Sequence, residues 1–147
     1  KYAVRCGGAW NHRTGLFDAV LIKDNHLAGL SASDVGVVLR RWLDRVTALP
    51  RPPAFVEVEV DTLEQLRAVL RVDRVDIVLL DNYSVEQLQS AVRLRDEVCA
   101  SKRPLLEASG GVTLETIATI AATGVDRISV GALTHSAACL DLSLEVA

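Results

Sequence analysis

The stretch "AFVEVEVDTLEQL", residues 54–66, decides the fold. Ala54–Asp61 alternates apolar and acidic residues with a period of two, which reads as a strand. Thr62, three residues before Gln65, makes a capping box that opens a helix to about Leu70. A strand running straight into a capped helix is one β/α unit. The same unit recurs on both sides. "VDIVLLD", Val75–Asp81, reads as a strand, and Ser84 with Gln87 caps a helix to about Ala100. Pro104–Ser109 reads as the next strand, followed by a helix over Thr113–Thr123 that Gly124 closes. Asp126–Gly131 reads as a fifth strand, then a short helical turn near Thr134–Ala138 and an apolar piece, Leu140–Val146.

Upstream, Leu16–Lys23 reads as the first strand. Apolar residues at Val35, Val38, Leu39, Trp42, Leu43, Val46 and Leu49 give Ser33–Leu49 a helical stripe, ended by "LPRPP". Alternating strands and helices mean parallel strands joined by right-handed crossovers. An open doubly wound sheet and a (β/α) barrel both satisfy this. A full barrel takes ~250 residues, so this chain, as a barrel, would be short of closing. "KYAVRCGGAW" reads as a helix end entering a loop, and the chain contains no Met. The expectation from these patterns is a single α/β domain, either an open sheet or an unclosed barrel, with an N-terminal part missing.

The chain has 147 residues, 50% of them apolar and 24% charged, with a formal charge of −3. That balance argues against coating nucleic acid or an anionic membrane. No apolar run approaches the ~20 residues of a membrane span, and no signal-peptide pattern opens the chain. Cys6, Cys99 and Cys139 are odd in number and far apart, which reads as reduced thiols in a cytosolic protein.

In both architectures the active site lies at the carboxyl ends of the strands. Those ends carry Lys23–Asp24–Asn25–His26, then Glu57, Glu59 and Asp61, then Asp81–Asn82, then Glu107 with Ser109–Gly110–Gly111, then Gly131. Lys23, with His12 and Arg13 from the loop before the first strand, suits a small anion. Glu57, Glu59 and Asp61 share one face of their strand. That face is either a solvated edge or a barrel interior, where acids need cations, a metal or ligand hydroxyls. "SGG" (109–111) and "SVGALTHS" (129–136) place glycines between a strand and a helix start, the usual phosphate position of barrel enzymes. There is no GxGxxG and no Walker A, so a dinucleotide or NTP P-loop is disfavoured.

These motifs together resemble one family. "KYAVRCGGAWNHRTGLFDAVLIKDNH", "VEVEVDTLEQL", "VLLDNYS", "LEASGGVTLETI" and "TGVDRISVGALTHS" follow the order of quinolinate phosphoribosyltransferases. In that family an N-terminal sandwich domain precedes an open α/β barrel, and this chain is similar to most of the barrel, which implies one partial α/β-barrel catalytic domain over 1–147 that lacks the sandwich domain and the first barrel strand. The resemblance implies a pentosyltransferase reaction. Quinolinate and phosphoribosyl pyrophosphate, with Mg²⁺, give nicotinate mononucleotide, pyrophosphate and CO₂ in NAD synthesis. Carried over by motif, His12, Arg13 and Lys23 face the quinolinate carboxylates. Glu59 and Asp81 match acids near the ribose hydroxyls and the metal, Glu59 being chosen over Glu57 by its place in "EVEVD". Lys23, Glu59 and Asp81 are the catalytic candidates. Ser109, Gly110, Gly131 and His135 match the 5′-phosphate region. The family implies a cytoplasmic homodimer or hexamer.

Three departures stand out. The family's "TRK" strand segment is absent, as is the sandwich domain whose arginine reaches the neighbouring subunit's site. Ala9 stands where a third glycine is common. The expectation is that the chain alone is nearly inactive. Two other readings remain: a paralogue associated with molybdenum transport that acts on a different substrate, and a non-catalytic folding or dimerisation module.

Overall fold

The computed structural model describes residues 1–99, 102–136 and 141–145. Twelve elements follow one another: α1 (Tyr2–Cys6), β1 (Val20–Ile22), α2 (Asp24–Leu27), α3 (Ala32–Thr47), β2 (Val56–Val60), α4 (Leu63–Val69), β3 (Ile77–Asp81), α5 (Val85–Val98), β4 (Leu105–Ser109), α6 (Ile117–Ala121), β5 (Arg127–Ile128) and α7 (Ala132–His135). Cys139, Ala138, the end of the expected helix at Ala100 and parts of the last apolar piece lie outside the described residues.

The five strands form one parallel sheet in the order β1-β2-β3-β4-β5. Each crossover therefore steps to the next strand in the same direction. A doubly wound sheet reverses its strand order at a switch point; this one does not. The winding is that of a barrel, left open between β1 and β5.

Alternation along the strands divides the sheet into two faces. Ile22, Val56, Val58, Val60, Val78, Leu80, Leu106 and Ala108 point to the helices and pack with Val35, Leu39 and Leu43 of α3, Leu66 and Val69 of α4, and Leu88, Ala91 and Leu94 of α5. The opposite, interior face carries Glu57, Glu59, Ile77, Leu79, Asp81, Glu107, Ser109 and Arg127. Every residue of β2 is buried, so its acidic face is interior and not a solvated edge.

The helix starts follow their caps. Ser84 and Gln87 form the reciprocal box expected of α5. At α4 only half the box forms: Thr62 accepts from the Gln65 N–H, but Gln65 reaches past it to the Asp61 N–H at 2.9 Å. α3 begins two residues after Leu30, because Ser31 and not Ser33 caps it. α6 is shorter than expected. Thr113 and Thr116 bond each other's backbone N–H groups, holding 113–116 as a turn before the helix starts at Ile117.

The first strand is the largest correction. Leu16–Ala19 is not strand: the Asp18 carboxylate accepts from the Thr14 N–H at 2.7 Å, from the Thr14 hydroxyl and from the Gly15 N–H, and so folds the chain into a turn. Leu16 and Phe17, apolar enough to suggest a core strand, are 83% and 87% exposed.

Candidate active site

Strand register places the candidate residues in layers on the interior face. Glu59, Leu79, Glu107 and Arg127 are level across four strands. Asp81 and Ser109 pair one layer nearer the carboxyl ends. Lys23 directly follows β1 and stands 4.0 Å from Glu59. Thus Lys23, Glu59, Asp81 and Ser109 converge at one rim, as the sequence suggested.

The acids crowd that rim. Burial, chiefly, and the neighbouring Asp24, Asp81 and Asp61 carboxylates push the Glu59 carboxyl above its ordinary value, while Lys23 pulls it down. Burial and the same Asp24 and Asp81 raise Asp61. Hard oxygen donors are the type a divalent cation such as Mg²⁺ takes, but among the described residues the three donors lying within 4.8 Å of one another are those of His12, Glu57 and Glu107, not the rim acids. His26, the last polar residue of "KDNH", is structural: its Nδ1 accepts from the Lys23 N–H at 2.9 Å and fixes the turn after β1.

The turns after β3 and β4 are locked together. Asn82 adopts a left-handed conformation at φ 55 and donates through its backbone N–H to the Ser109 carbonyl at 2.9 Å. Its side-chain amide donates to Asp81 at 2.7 Å, holding that carboxylate in place. Gly110 and Gly111 also have positive φ, 95 and 58. Gly131 differs. It lies in the right-handed region at φ −60 and caps α7, with His135 Cδ2 3.6 Å from where its Cβ would stand. The two glycine turns are therefore not equivalent: only the first requires glycine for its backbone.

A second polar cluster reaches from the Glu59 level, at Glu107 and Arg127, down to Glu57 one layer deeper. The loop before β1 lays His12 over the interior face, half-buried, with Nε2 2.6 Å from Glu57 and 3.6 Å from Glu107. Glu107 is held from its other side by Arg127 Nε at 2.9 Å and accepts from the Ser129 hydroxyl. Phe55 backs the group: the His12 ring meets it edge-on, centroids 6.0 Å apart, and the Arg127 guanidinium lies 5.8 Å from its centroid. The hydrogen bond to Glu57 is the main cause that lifts the His12 pKa above its ordinary value, against burial. Donor atoms of His12, Glu57 and Glu107 lie within 4.8 Å of one another. A metal there would have to displace the His12 proton beside the Arg127 cation, so the cluster suits its two cations better than an ion.

Arg13 follows His12, half-buried and in no salt bridge among the described residues. Its carbonyl accepts from Lys1 Nζ at 2.6 Å, which ties the loop to α1. Sequence reasoning missed Arg127 and Phe55, and saw Asn82 and Ser129 only as parts of strand-end turns without these contacts. The signal for Arg127 and Ser129 was available, since they alternate with Ile128 on a strand whose neighbour carries Glu107.

Comparison with known proteins adds the following. A family model described as "Quinolinate phosphoribosyl transferase, C-terminal domain" matches residues 1–145. The nicotinate-nucleotide pyrophosphorylase (carboxylating) of Mycobacterium leprae is 49% identical over 146 residues, 99% of this chain and 48% of that protein. The mitochondrial quinolinate phosphoribosyltransferase (decarboxylating) 2 of Nicotiana glauca is 41% identical over 160 residues, covering 99% and 43%. The structure of the nicotinate-nucleotide pyrophosphorylase from Francisella tularensis superposes with a TM-score of 0.76 at 40% identity, over 97% of this chain and 45% of that one. The chain spans about half the length of the curated relatives it matches.

Proposed function

The chain belongs to the quinolinate phosphoribosyltransferase family, and from that premise we propose that it carries the barrel half of an enzyme that transfers phosphoribose to quinolinate with decarboxylation. The observation that supports this most is the layering of one sheet face. Lys23 stands at its β1 side beside Glu59, His12 lies over it between Glu57 and Glu107, Asp81 pairs with Ser109 at the carboxyl ends, and the Gly110–Gly111 turn follows.

Each group has a task in that reaction. Arg13, Lys23 and His12 bind the two quinolinate carboxylates and orient the ring nitrogen toward C1′ of phosphoribosyl pyrophosphate. The nitrogen lone pair forms the new C–N bond as pyrophosphate departs with the electrons of the broken C–O bond. Glu59 and Asp81 accept from the ribose hydroxyls and place negative charge near a ribose that becomes cationic in the transition state. The backbone N–H groups of the glycine turn, with Ser109, hold the 5′-phosphate, near Gly131 and His135. Fixing both reactants in line supplies much of the rate. The carboxylate next to the ring nitrogen then leaves as CO₂. Its electron pair stays on the ring, stabilised by the cationic nitrogen, until a proton replaces it. Mg²⁺ held by Glu59 and Asp81 would neutralise pyrophosphate as it leaves.

We place the protein in the cytoplasm and expect a homodimer or a higher assembly built from it. Among the described residues no helix is long and apolar enough to cross a membrane. The test is calorimetric titration of the chain with quinolinate, with and without phosphoribosyl pyrophosphate and Mg²⁺. Saturable binding weakened at least about tenfold in Arg13→Ala is expected, the loss of one charge-assisted pair. Equal binding by Arg13→Ala, or preference for another pyridine carboxylate, would favour the paralogue reading.

A further inference from the structure

Glu57 is fully buried, at 0% exposure; among the described residues neither its oxygens nor His12 Nε2 has a well-aligned hydrogen-bond partner, and the cation within ion-pair distance of Glu57 is His12, at 2.6 Å. A carboxylate sealed from water without a cation is strongly disfavoured. Glu107, also buried, already has Arg127 and Ser129. Two carboxylates and one guanidinium leave the cluster one positive charge short, and His12 sits between the two acids.

We propose that Glu57 and Glu107 are positioning residues that hold His12 as an imidazolium, leaving its Nδ1–H as a fixed donor to a bound carboxylate. The inference rests on the family reading of the pocket and deepens it. Neutral imidazole has one N–H donor and one acceptor; only the imidazolium donates from both nitrogens. With Nε2 engaged by Glu57, a neutral His12 would turn a lone pair toward an incoming anion and repel it. Protonated, it donates. Because the cluster of His12, Glu57, Glu107 and Arg127 is then neutral as a whole, its contribution is a directed hydrogen bond and not a net field. Arg13 and Lys23 supply the field. Among the described residues the charged groups facing His12 are Glu57 from β2, Glu107 from β4 and Arg127 from β5, the last opposing protonation.

The sign follows. His12 titrates above its ordinary value, so the clamped proton is fully present in acid and is lost as pH rises through the elevated value. Anion binding should fade over that same upper window. Glu57→Gln keeps the shape but removes the charge, and should move the loss to lower pH.

The experiment reads the three histidines, His12, His26 and His135, by NMR between about pH 5 and 9, with His12→Asn to assign the signal. The expected result is a His12 midpoint above the ordinary histidine value, displaced downward in Glu57→Gln and in Glu107→Gln. Quinolinate titrations accompany it. At about pH 8 Glu57→Gln should bind about tenfold more weakly than wild type, and at about pH 5.5 the two should agree within about twofold, since both imidazoles are then charged. A His12 midpoint unmoved by either variant would overturn the inference, as would a quinolinate defect independent of pH. Should wild type bind no quinolinate at any pH, the pocket reading fails, and the two midpoint shifts alone decide the clamp. Glu107→Gln serves if Glu57→Gln does not fold.

Discussion

Gly110 carries the closest constraint of any single residue at the rim. Its φ is 95, and a Cβ there would stand 2.2 Å from Asn82 Oδ1 and 3.0 Å from the Asn82 backbone nitrogen. The side-chain oxygen could swing aside, but the backbone nitrogen cannot, because it donates to Ser109. Gly110→Ala is therefore expected to cost about 1–3 kcal/mol, from left-handed strain together with the clash. Chemical denaturation would measure it. A loss under half of that would mean the turn opens freely. Gly131→Ala, with its right-handed φ and 3.6 Å of room, makes the control and should cost much less. Both glycines were visible in the sequence as strand-to-helix turns. The difference between them was not, because a glycine's φ depends on what approaches it. Similarly, alternation put Glu57 and Glu59 on one face, yet only the register sets Glu59 at the rim beside Lys23 and Glu57 beneath it against His12.

At the scale of elements, the parallel strands begin with a recurring device. Asp76, just before β3, accepts from the Val56 N–H of β2 at 2.9 Å. Asp126, just before β5, accepts from the Leu106 N–H of β4 at 2.8 Å. Each carboxylate satisfies a donor near the start of the preceding strand, where a buried unpaired N–H would be costly. Asp126 also pairs with the buried Arg95 of α5, tying that helix to the sheet. Asp126→Ala leaves the Leu106 N–H without its acceptor and the buried Arg95 with Asp96 alone, 3.1 Å from its Nε, and is expected to destabilise by about 2–4 kcal/mol, short of the cost of a fully stranded buried charge. Asp76→Ala weakens no buried guanidinium, and about 1–3 kcal/mol is expected from its backbone contact. Thermal or urea unfolding of the two variants would check the order. Equal losses would show that Asp96 alone satisfies Arg95. The strand-helix alternation itself was readable, since periods of two and caps are local properties. The shortness of β1 was not. "GLFDAVLI" has strand composition throughout, and only the Asp18 side chain, reaching back to Thr14 and Gly15, diverts its first half.

For the molecule as a whole, right-handed crossovers are shared by barrels and doubly wound sheets, so periodicity left the two open and only the family motifs pointed to the open barrel; strand order bears that out. Among the described residues the sheet has two unpaired edges, β1 and β5, and its polar face is covered unevenly. Deep in it Glu57 and Glu107 are sealed by the His12 loop, at 0% and 1% exposure, whereas the Lys23 side chain at the rim is 52% exposed. The Glu57–Glu107 cluster is thus preorganised, whereas the rim is buried at Glu59, 7% exposed, and opens to water at Lys23. Binding a dianion asks only for cations within reach, the part proposed for Arg13 and Lys23, and that holds even in water. Stabilising a cationic ribose asks for fixed charges in a site that excludes water, where electrostatics are strongest. This chain should therefore separate the two functions, binding quinolinate while turning it over at least about 100-fold more slowly than a full-length relative such as the Mycobacterium leprae protein, the scale of losing one preorganised electrostatic contact. Chromatographic assay of nicotinate mononucleotide from quinolinate and phosphoribosyl pyrophosphate would measure it. A rate within about tenfold of the relative would mean that the open rim already excludes water when both substrates are bound, and that the barrel half alone is sufficient for chemistry.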